Sequence, residues 1–376
     1  MPRLVFTLNN PDFLVSHRLV LVRGAMAAGY EVHAVTPPGE GVEILRRLGV
    51  ETHEWKLDRK GQSVLSETRS LAALVGIYRR LVPDIVHHVT IKPVLYGSAA
   101  ARLLGRSAVV NAVSGFGYVF LSKGVRAEAR RRAVAAAYRV ALSSPRSVVI
   151  LQNDDDEADL GRLGSLSPLS EVVKIRGSGV DLNRFVPSAE PDGPPIVMLP
   201  ARLLKDKGVV EFAEAARAVR AAQPAVRFVL AGGLDPGNPA AVTEGEVRSW
   251  VRDGLVEWWG HQTDMASALA QATIVCLPSY REGMPKALLE AAAVGRALIT
   301  TDAPGCRDAV DGGRAGVLVP VRDAQAIAAA VSRLLEDQPE RARLALAAQA
   351  LAVSQFDERQ VLQAHLRVYE QLLDRR

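Results

Sequence analysis

Short apolar runs of strand length alternate with helical patterns along both halves of this 376-residue chain. Because parallel strands are joined by helical crossovers and are buried on both faces, the alternation predicts a helix-covered parallel sheet in each half. We therefore expect the α/β fold class, with two Rossmann-like, doubly wound domains. The predicted strands are Leu4–Leu8, Glu31–Val35, Ile85–His88, Val109–Ala112 and Val148–Leu151 in the first half, and Ile196–Leu199, Arg227–Ala231, Val256–Trp259, Thr273–Leu277 and Ala297–Thr301 in the second.

A polar, proline-rich stretch from Pro187 to Pro195 separates the two halves and is typical of a linker. The chain length and a hydrophobic content of 48% allow two cores of ordinary size. The predicted organisation is an N-terminal domain at residues 1–183, a linker at 184–195, a C-terminal domain at 196–356 and a final helix at 357–376.

Two carboxylates flank the predicted start of the helix that follows the strand Thr273–Leu277. Glu282 lies just after the strand, Pro285 suits the first helical position, and Glu290 lies about two turns into the helix. A helix N-terminus attracts a diphosphate through its dipole and its backbone N–H groups, and Gly283–Met284 brings two more N–H groups to this point. Glu282 is suited to accept hydrogen bonds from sugar hydroxyls and Glu290 from a ribose diol. The alternative is that both are solvated charges or caps.

A basic loop follows the strand Ile196–Leu199 and contains Arg202 and Lys207. The carboxyl ends of parallel strands deliver their loops to the ligand crevice of such a sheet. Arginine can hold a phosphate with two donors, and lysine supplies a point charge. Gly232 and Gly233 end the next strand, where their backbone can approach a ligand closely. A basic loop alone would most simply be solvated surface, but two basic groups and two carboxylates at one sheet edge favour a binding site.

Arg202, Lys207 and the Glu-x7-Glu pair of Glu282 and Glu290 resemble the donor-site signature of glycosyltransferase family 4. The resemblance runs along nearly the whole chain. It implies the GT-B fold, in which two domains face each other across a deep cleft, and a final helix that crosses back to the first domain. Within the family, the chain is most similar to bacterial transferases that extend polyprenyl-diphosphate-linked sugars, including N-acetylgalactosaminyltransferases acting on diphospho-undecaprenol-linked bacillosamine. The segments that carry this closer resemblance are Ser16–Leu19, Lys92–Gly97, Ser114–Phe120 and Trp258–His261.

The resemblance implies that the second domain binds a UDP-sugar and that transfer retains the anomeric configuration. Arg202, Lys207 and the helix start would stabilise the leaving diphosphate, while Glu282 orients the sugar and Glu290 the ribose. The other predicted donor-binding residues are Gly179, Gly232, Gly233, His261, Gln262, Gly283, Met284, Pro285 and Lys286. We expect Gly179 to let the backbone approach the pyrophosphate. His261 and Gln262 are candidates for uracil contact.

The first half supplies candidates for acceptor contact. His17 opens a helix after the first strand, where its ring is placed to meet an acceptor hydroxyl or phosphate and to act in catalysis. A structural hydrogen bond is the alternative for this histidine. The other predicted acceptor residues are His87, Lys92, Ser114, Gly115, Phe116, Gly117 and Lys123. At least one of His87 and His88 is expected to be structural, and an ordinary Gly-rich turn is the alternative for residues 114–118.

Positive charge is concentrated in the first half. Residues 1–183 hold 24 Lys and Arg against 17 Asp and Glu, a net +7, which leaves 46 − 24 = 22 against 41 − 17 = 24, a net −2, for the rest. This distribution favours an anionic partner, either the inner-membrane surface or a lipid diphosphate, although a solvated helix face would also explain the densest run, Lys123–Arg132. No nucleic-acid recognition motif accompanies these charges.

The number of cysteines and the hydropathy of the chain favour a cytoplasmic location. The chain has two cysteines without metal-ligand spacing, and no uncharged apolar run approaches the ~20 residues of a membrane span. We therefore expect a cytoplasmic protein that is peripheral on the inner membrane.

An acidic run, Asp154–Asp156, opens a predicted helix, where it complements the helix dipole. It is not part of the donor signature, so we predict no metal site, a metal-independent reaction and no cofactor. A nicotinamide-dependent oxidoreductase is disfavoured because Asn9–Asp12, after the first strand, lacks the glycine fingerprint. A non-catalytic nucleotide-sugar-binding protein and an epimerase on the same fold stay open as alternatives.

The reaction that these residues and the resemblance predict is transfer from UDP-GalNAc, or from another UDP-hexose or UDP-N-acetylhexosamine. The acceptor is a polyprenyl-diphosphate-linked saccharide in the assembly of a bacterial envelope polysaccharide or glycoprotein glycan. A soluble acceptor is the alternative.

Overall fold

The computed structural model describes residues 1–57, 64–113 and 125–375, except for the side chains of residues 64 and 125–131. These residues form two compact units. Unit 1 comprises Met1–Ser178 and Arg359–Arg376, and unit 2 comprises Gly179–Glu358.

Unit 1 is built on a seven-stranded parallel sheet. Its strands are β1 Arg3–Thr7, β2 Glu31–Thr36, β3 Glu51–Glu54, β4 Ile85–Val89, β5 Ala108–Val113, β6 Ser147–Leu151 and β7 Glu171–Lys174. The order across the sheet is β3-β2-β1-β4-β5-β6-β7, so the direction of winding reverses between β1 and β4. The helices between the strands are α1 Pro11–Ala27, α2 Gly41–Arg47, α3 Val64–Leu81, α4 Ile91–Leu104, α5 Val125–Leu142 and α6 Asp154–Arg162.

Polar caps start two of these helices where the sequence changes from strand to helix. The Asn10 side chain accepts a hydrogen bond from the backbone N–H of Asp12 and starts α1, with Pro11 in the first turn. The Asn153 side chain does the same for α6 by accepting from the N–H of Asp156. The acidic run Asp154–Asp156 therefore forms the first turn of α6, as the dipole argument predicts.

Unit 2 contains a six-stranded parallel sheet. Its strands are β8 Ile196–Leu199, β9 Arg227–Leu230, β10 Glu257–Trp258, β11 Ile274–Leu277, β12 Ala297–Thr301 and β13 Val317–Val319. The order is β10-β9-β8-β11-β12-β13, with the reversal between β8 and β11. The helices are α7 Val209–Ala222, α8 Glu244–Arg252, α9 Met265–Ala270, α10 Lys286–Val294, α11 Cys306–Ala309, α12 Ala324–Glu336 and α13 Gln338–Gln355.

The central strands β8 and β11 of unit 2 are apolar because both faces of the sheet are covered. Leu199 of β8 packs in a cluster that contains Phe212 and Phe228. Its neighbour Met198 packs in a second cluster, which contains Leu288 of α10. Since successive side chains of a strand point to opposite faces, a strand buried on both sides is largely apolar and shows no alternation of apolar and polar residues.

The ten predicted strands are all present, and their ends differ from the prediction by at most one residue. Three strands, β3, β7 and β13, were not predicted. Each lies at an edge of its sheet and is largely exposed or half-buried, so its sequence lacks the apolar run that marks a central strand.

The last helix, α14 Glu358–Asp374, packs in the core of unit 1. Its Tyr369 and Leu372 are fully buried, and the Tyr369 hydroxyl lies 2.6 Å from Nδ1 of His87. This contact ties residues separated by 282 positions in the chain. Of the helices in the ranges given above, none is long and apolar enough to cross a membrane.

Residues 184–195, for which the sequence predicts a linker, lie in unit 2 and are held against it. Phe185 is buried in its core, and the N–H of Ser188 donates to the carbonyl of Val294 at 3.2 Å. The guanidinium of Arg341 pairs with Glu190 at 2.7 Å. These contacts make the segment a docked part of unit 2.

Candidate functional site

The candidate site lies where the winding of the unit 2 sheet reverses. Strands β8 and β11 are neighbours there, and their connections leave toward opposite sides of the sheet. In sheets of this kind, ligands bind in the crevice outside the carboxyl ends of these two strands. Lys207 lies in the loop after β8, on the 3-10 turn Lys205–Lys207, and Glu282 lies in the loop after β11. The fold thus brings together two residues 75 positions apart that the sequence predicts to act together.

Backbone contacts fix the relative positions of these loops. The N–H of Tyr280 donates to the carbonyl of Asp206 at 2.9 Å, and the N–H of Glu282 donates to the carbonyl of Pro304, after β12, at 3.0 Å. Gly208 has a φ of 73°, and a Cβ there would overlap the carbonyl oxygen of Pro278. A glycine is required at this point because the loops after β8 and β11 meet backbone to backbone.

The central contact of the site is an ion pair between Lys207 Nζ and Glu282 Oε1. The side chains are only 22% and 13% exposed, so the pair is partly shielded from water. One cation and one carboxylate therefore lie side by side at the crevice. That arrangement can hold a phosphate and a sugar hydroxyl with little rearrangement.

Arg202 also lies at this edge, but it is paired. Its Nη1 is 2.6 Å from Oδ2 of Asp235, a residue that the sequence argument did not identify. Because the Arg202 side chain is 62% exposed, this pair is screened by water and can be exchanged for a phosphate at modest cost.

The two glycines after β9 have different surroundings. A Cβ at Gly232 would overlap the carbonyl oxygen of Ala201, and the carbonyl of Gly232 accepts a hydrogen bond from Trp258 Nε1 at 2.9 Å. Gly232 is thus needed for packing between adjacent loops. A Cβ at Gly233 would lie 3.7 Å from the Cβ of His261, so this position faces the exposed imidazole predicted to contact uracil. The side-chain amide Nε2 of Gln262 donates a hydrogen bond to the backbone carbonyl of Trp259 at 2.7 Å.

The helix α10 begins beside the ion pair. The sequence predicts Pro285 as the first helical residue, whereas in the structure it is the N-cap and the helix begins one position later, at Lys286. Met284 is buried in the core. Glu290, on the second turn, is buried, and its nearest cation is Lys286 at 3.4 Å. Burial raises the pKa of the Glu290 carboxyl, while Lys286 and Arg184 oppose this rise. The N-terminus of α10 thus lies within a few residues of Glu282, with Gly283 leading into it.

Further side chains lie in the loops after β8 and β11 or contact them, although the sequence argument did not select them. The Tyr280 hydroxyl donates to Glu211, and the Arg322 guanidinium lies 4.6 Å from the centre of the Tyr280 ring. Burial raises the pKa of Tyr280 to about 12, so its hydroxyl stays protonated. Burial also raises the pKa of Asp206, which Lys207 opposes. No motif marks these residues, because only the folded loops bring them together.

Backbone packing is an alternative to the predicted pyrophosphate contact as the reason for a glycine at position 179. Gly179 has a φ of 73°, and a Cβ there would lie 2.5 Å from the Cα of Glu358. The adjacent Val180 donates its N–H to the carbonyl of Phe356 at 2.7 Å and accepts from the N–H of Glu358. Backbone packing beside the start of α14 therefore accounts for the glycine.

The predicted acceptor residues of unit 1 fall into different environments. His17 is half-buried, its Nδ1 lies 2.8 Å from the Ser16 hydroxyl, and its ring stacks on Phe13. Lys92 pairs with Glu67 at 2.9 Å, and both side chains are 25% exposed. Both predicted residues therefore remain within reach of a ligand.

His87 requires a correction. Its side chain is fully buried, bonded to Tyr369 and stacked on His365, and burial lowers its pKa well below the usual value. A neutral imidazole enclosed in the core cannot touch an acceptor, so His87 has a packing role. His88 is likewise buried and bonded to Asn111. Ser114, Gly115, Phe116, Gly117 and Lys123 lie outside the described residues.

Family comparisons match both units of the chain. Residues 5–152 match the family described as glycosyl transferase 4-like, and residues 194–337 match the family described as glycosyl transferases group 1. Among solved structures, a sucrose-phosphate synthase from Thermosynechococcus elongatus superimposes with a TM-score of 0.81 over all of both chains, at 20% identity. Anabaena HepE, in complex with UDP and glucose, gives 0.78 over 99% of this chain and all of its own, at 19% identity.

Curated relatives agree with the family matches. A Campylobacter jejuni N,N'-diacetylbacillosaminyl-diphospho-undecaprenol alpha-1,3-N-acetylgalactosaminyltransferase is 26% identical over 369 residues, 95% of each chain. An Escherichia coli UDP-Gal:alpha-D-GlcNAc-diphosphoundecaprenol alpha-1,3-galactosyltransferase is 25% identical and covers 73% of this chain and 72% of its own. Two parallel-sheet units with these neighbours define the GT-B class of glycosyltransferases. The chain belongs to the group 1, family 4-like glycosyltransferases, which confirms the resemblance noted in the sequence.

Proposed function

We propose that this glycosyltransferase moves a sugar from a UDP-sugar to a hydroxyl of a polyprenyl-diphosphate-linked saccharide, with retention of the anomeric configuration. The observation that carries the proposal is the Lys207 and Glu282 pair, held at the reversal point of the unit 2 sheet. The printed names of two relatives, both acting on diphospho-undecaprenol-linked sugars, support the acceptor class.

The proposed division of labour follows from the positions of the charges. Lys207, Arg202 and the N-terminus of α10 face the diphosphate, where the bond from the anomeric carbon to the phosphate oxygen breaks. Glu282, released from Lys207 when phosphate takes its place, accepts hydrogen bonds from the sugar. Glu290 accepts from the ribose hydroxyls.

In the proposed reaction, the acceptor oxygen attacks the anomeric carbon from the face that UDP leaves. The C–O bond to the acceptor forms as the C–O bond to UDP breaks, and the acceptor hydroxyl proton passes to the departing phosphate oxygen. In this scheme the two cations and the helix dipole stabilise the charge of the leaving group, so we propose that the reaction needs no metal ion.

The donor sugar and the location are part of the same proposal. UDP-GalNAc is our first choice of donor, because the relative that spans 95% of this chain is named as an N-acetylgalactosaminyltransferase. The net charge of +7 on residues 1–183 suits an anionic lipid diphosphate and the cytoplasmic face of the inner membrane.

The test is UDP release by the purified protein in EDTA, with a panel of UDP-sugars, with and without a short polyprenyl-diphosphate-linked amino sugar. We expect release from one donor that depends on the acceptor. Release only with a soluble saccharide would contradict the lipid-linked acceptor. UDP binding without any release, with or without added divalent metal, would favour a non-catalytic binding protein.

A further inference from the structure

A second cluster of polar side chains lies in unit 1, at the edge of its sheet. Glu31 and His33 of β2, and Glu51 and His53 of β3, all occupy odd-numbered positions on paired parallel strands. His33 is the register partner of Glu51. Because side chains two residues apart share a face of a strand, all four project to the same face of the sheet. The loops of the candidate donor site belong to unit 2, so this cluster is a separate feature.

Three side chains of the cluster lie close enough to one another to share a cation. His33 Nδ1 lies 3.0 Å from His53 Nε2 and 3.4 Å from Glu51 Oε2, and the three ligand atoms all lie within 4.8 Å of one another. In a tetrahedral zinc site with metal–ligand distances near 2.1 Å, neighbouring ligand atoms are about 3.4 Å apart. Small side-chain adjustments would therefore admit a cation among the three atoms.

The second nitrogen of His33 is already oriented as metal sites require. His33 Nε2 lies 2.9 Å from Glu31 Oε1, and the other oxygen of Glu31 pairs with Arg3 at 3.0 Å. A histidine that donates its Nε2–H to a carboxylate keeps the Nδ1 lone pair for a metal, the arrangement found around most metal-bound histidines. His33 is itself only 2% exposed, so this orientation is fixed by packing.

We propose that His33, His53 and Glu51 bind one divalent transition-metal cation, for which Zn²⁺ is the test ion. Two imidazoles and one carboxylate are ligands that zinc accepts, with water in the fourth position. In the metal-bound form His53 carries its proton on Nδ1, so that Nε2 faces the ion. The carboxylates of Glu31 and Glu51 balance the positive charge of the metal ion. The positive charge of Arg80 acts on His53 and opposes the binding of a cation there.

The proposed ion joins β3 to β2. Strand β3 is an edge strand of four residues and lacks a neighbour on its outer side among the described residues. A bond from the ion to each strand would hold this edge in register. We therefore expect metal to stabilise unit 1 without taking part in sugar transfer. The sequence analysis did not predict this site because its ligands lie on two separate strands, with His33 eighteen residues before Glu51, and so form no short motif.

The experiment is a zinc titration of the metal-stripped full-length protein, in competition with a chromogenic zinc indicator. We expect one equivalent of Zn²⁺ per chain. Glu51→Gln and His53→Ala should each weaken binding by at least about tenfold, and Glu31→Gln by roughly 10- to 100-fold, the usual effect of removing a partner that orients a ligand. Because the Glu51 side chain is 69% exposed, its substitution should not disturb folding.

Glu54→Gln is the matched control. It makes the same charge change on the same strand, but position 54 is even-numbered and projects to the opposite face, so its zinc affinity should equal that of the wild type. Binding that is equal in Glu51→Gln and Glu54→Gln would identify adventitious surface zinc and overturn the proposal. So would the absence of binding.

Thermal unfolding and the rate of sugar transfer, measured with and without zinc, distinguish a stabilising metal site from one that takes part in the reaction. At a zinc concentration 100 times the dissociation constant, the melting temperature of unit 1 should rise by about 5 °C or more, and this rise should vanish in Glu51→Gln. The initial rate of sugar transfer, measured well below the melting temperature, should be equal in zinc and in EDTA. A wild-type melting temperature that zinc does not raise would contradict the stabilising role.

Discussion

Replacing Lys207 by alanine tests the assignment of the donor site. The substitution removes the cation that we place against the diphosphate, and a hydrogen bond to a charged group contributes about 1.5–3 kcal/mol. At about 1.4 kcal/mol for each factor of ten, UDP affinity should fall roughly 10- to 100-fold. The substitution also leaves Glu282, whose side chain is 13% exposed, without its lysine and beside the diphosphate, so like-charge repulsion adds to the loss.

This second contribution can be measured separately. The double variant Lys207→Ala/Glu282→Gln removes the repelling carboxylate and should therefore bind UDP more tightly than Lys207→Ala alone. Lys205→Ala is the matched control, because Lys205 lies on the same 3-10 turn but is exposed, and its UDP affinity should change by less than about threefold. Isothermal titration calorimetry with UDP gives all four affinities. An unaltered affinity in Lys207→Ala, or an equal loss in Lys205→Ala, would refute the phosphate role.

Three further substitutions test other parts of the account. Glu282→Ala should lose most turnover in the UDP-release assay while keeping free UDP binding, and equal loss of both would contradict its role toward the sugar. Burial raises the pKa of the Glu290 carboxyl, so the folded protein binds this proton more tightly than the unfolded chain does. The protonated carboxyl therefore contributes to folding stability below the pKa of the unfolded chain, about 4.5, and this contribution is lost as the pH rises through the raised pKa of the folded state. Ribose hydroxyls favour the ionised carboxylate, so UDP affinity should rise over the same pH window in the wild type relative to Glu290→Gln; parallel pH profiles would contradict ribose contact. Tyr369→Phe leaves the buried His87 without its hydroxyl partner and should lower the free energy of unfolding of unit 1 by about 1–3 kcal/mol in urea denaturation, with UDP affinity unchanged; an unchanged unfolding midpoint would contradict the packing role.

The central strands were predictable because burial on both faces imposes continuous apolar sequence, as in Ile196–Leu199 and Ile274–Leu277. The convergence of Lys207 and Glu282 was predictable for a topological reason, since parallel strands deliver their following loops to one edge. Edge strands such as Glu51–Glu54 carry no such signature, because their side chains are mostly exposed or half-buried.

Side-chain partners were the least predictable part of the site. The pairing of Arg202 with Asp235 and the burial of His87 against Tyr369 depend on where separate elements of the chain pack. A histidine at a strand end has the same local sequence whether its ring meets solvent or a returning helix. His87 and Tyr369 are 282 positions apart in the chain, so no local motif can predict that they are in contact.

The measurement that tests the central claim most directly is the mass of a short polyprenyl-diphosphate-linked amino sugar after incubation with the protein and UDP-GalNAc in EDTA. Our account predicts a gain of one N-acetylhexosamine with the wild type, an α-configured new linkage by NMR and little product with Glu282→Ala. An unchanged acceptor mass across the whole UDP-sugar panel, from protein that binds UDP, would contradict the proposed transfer.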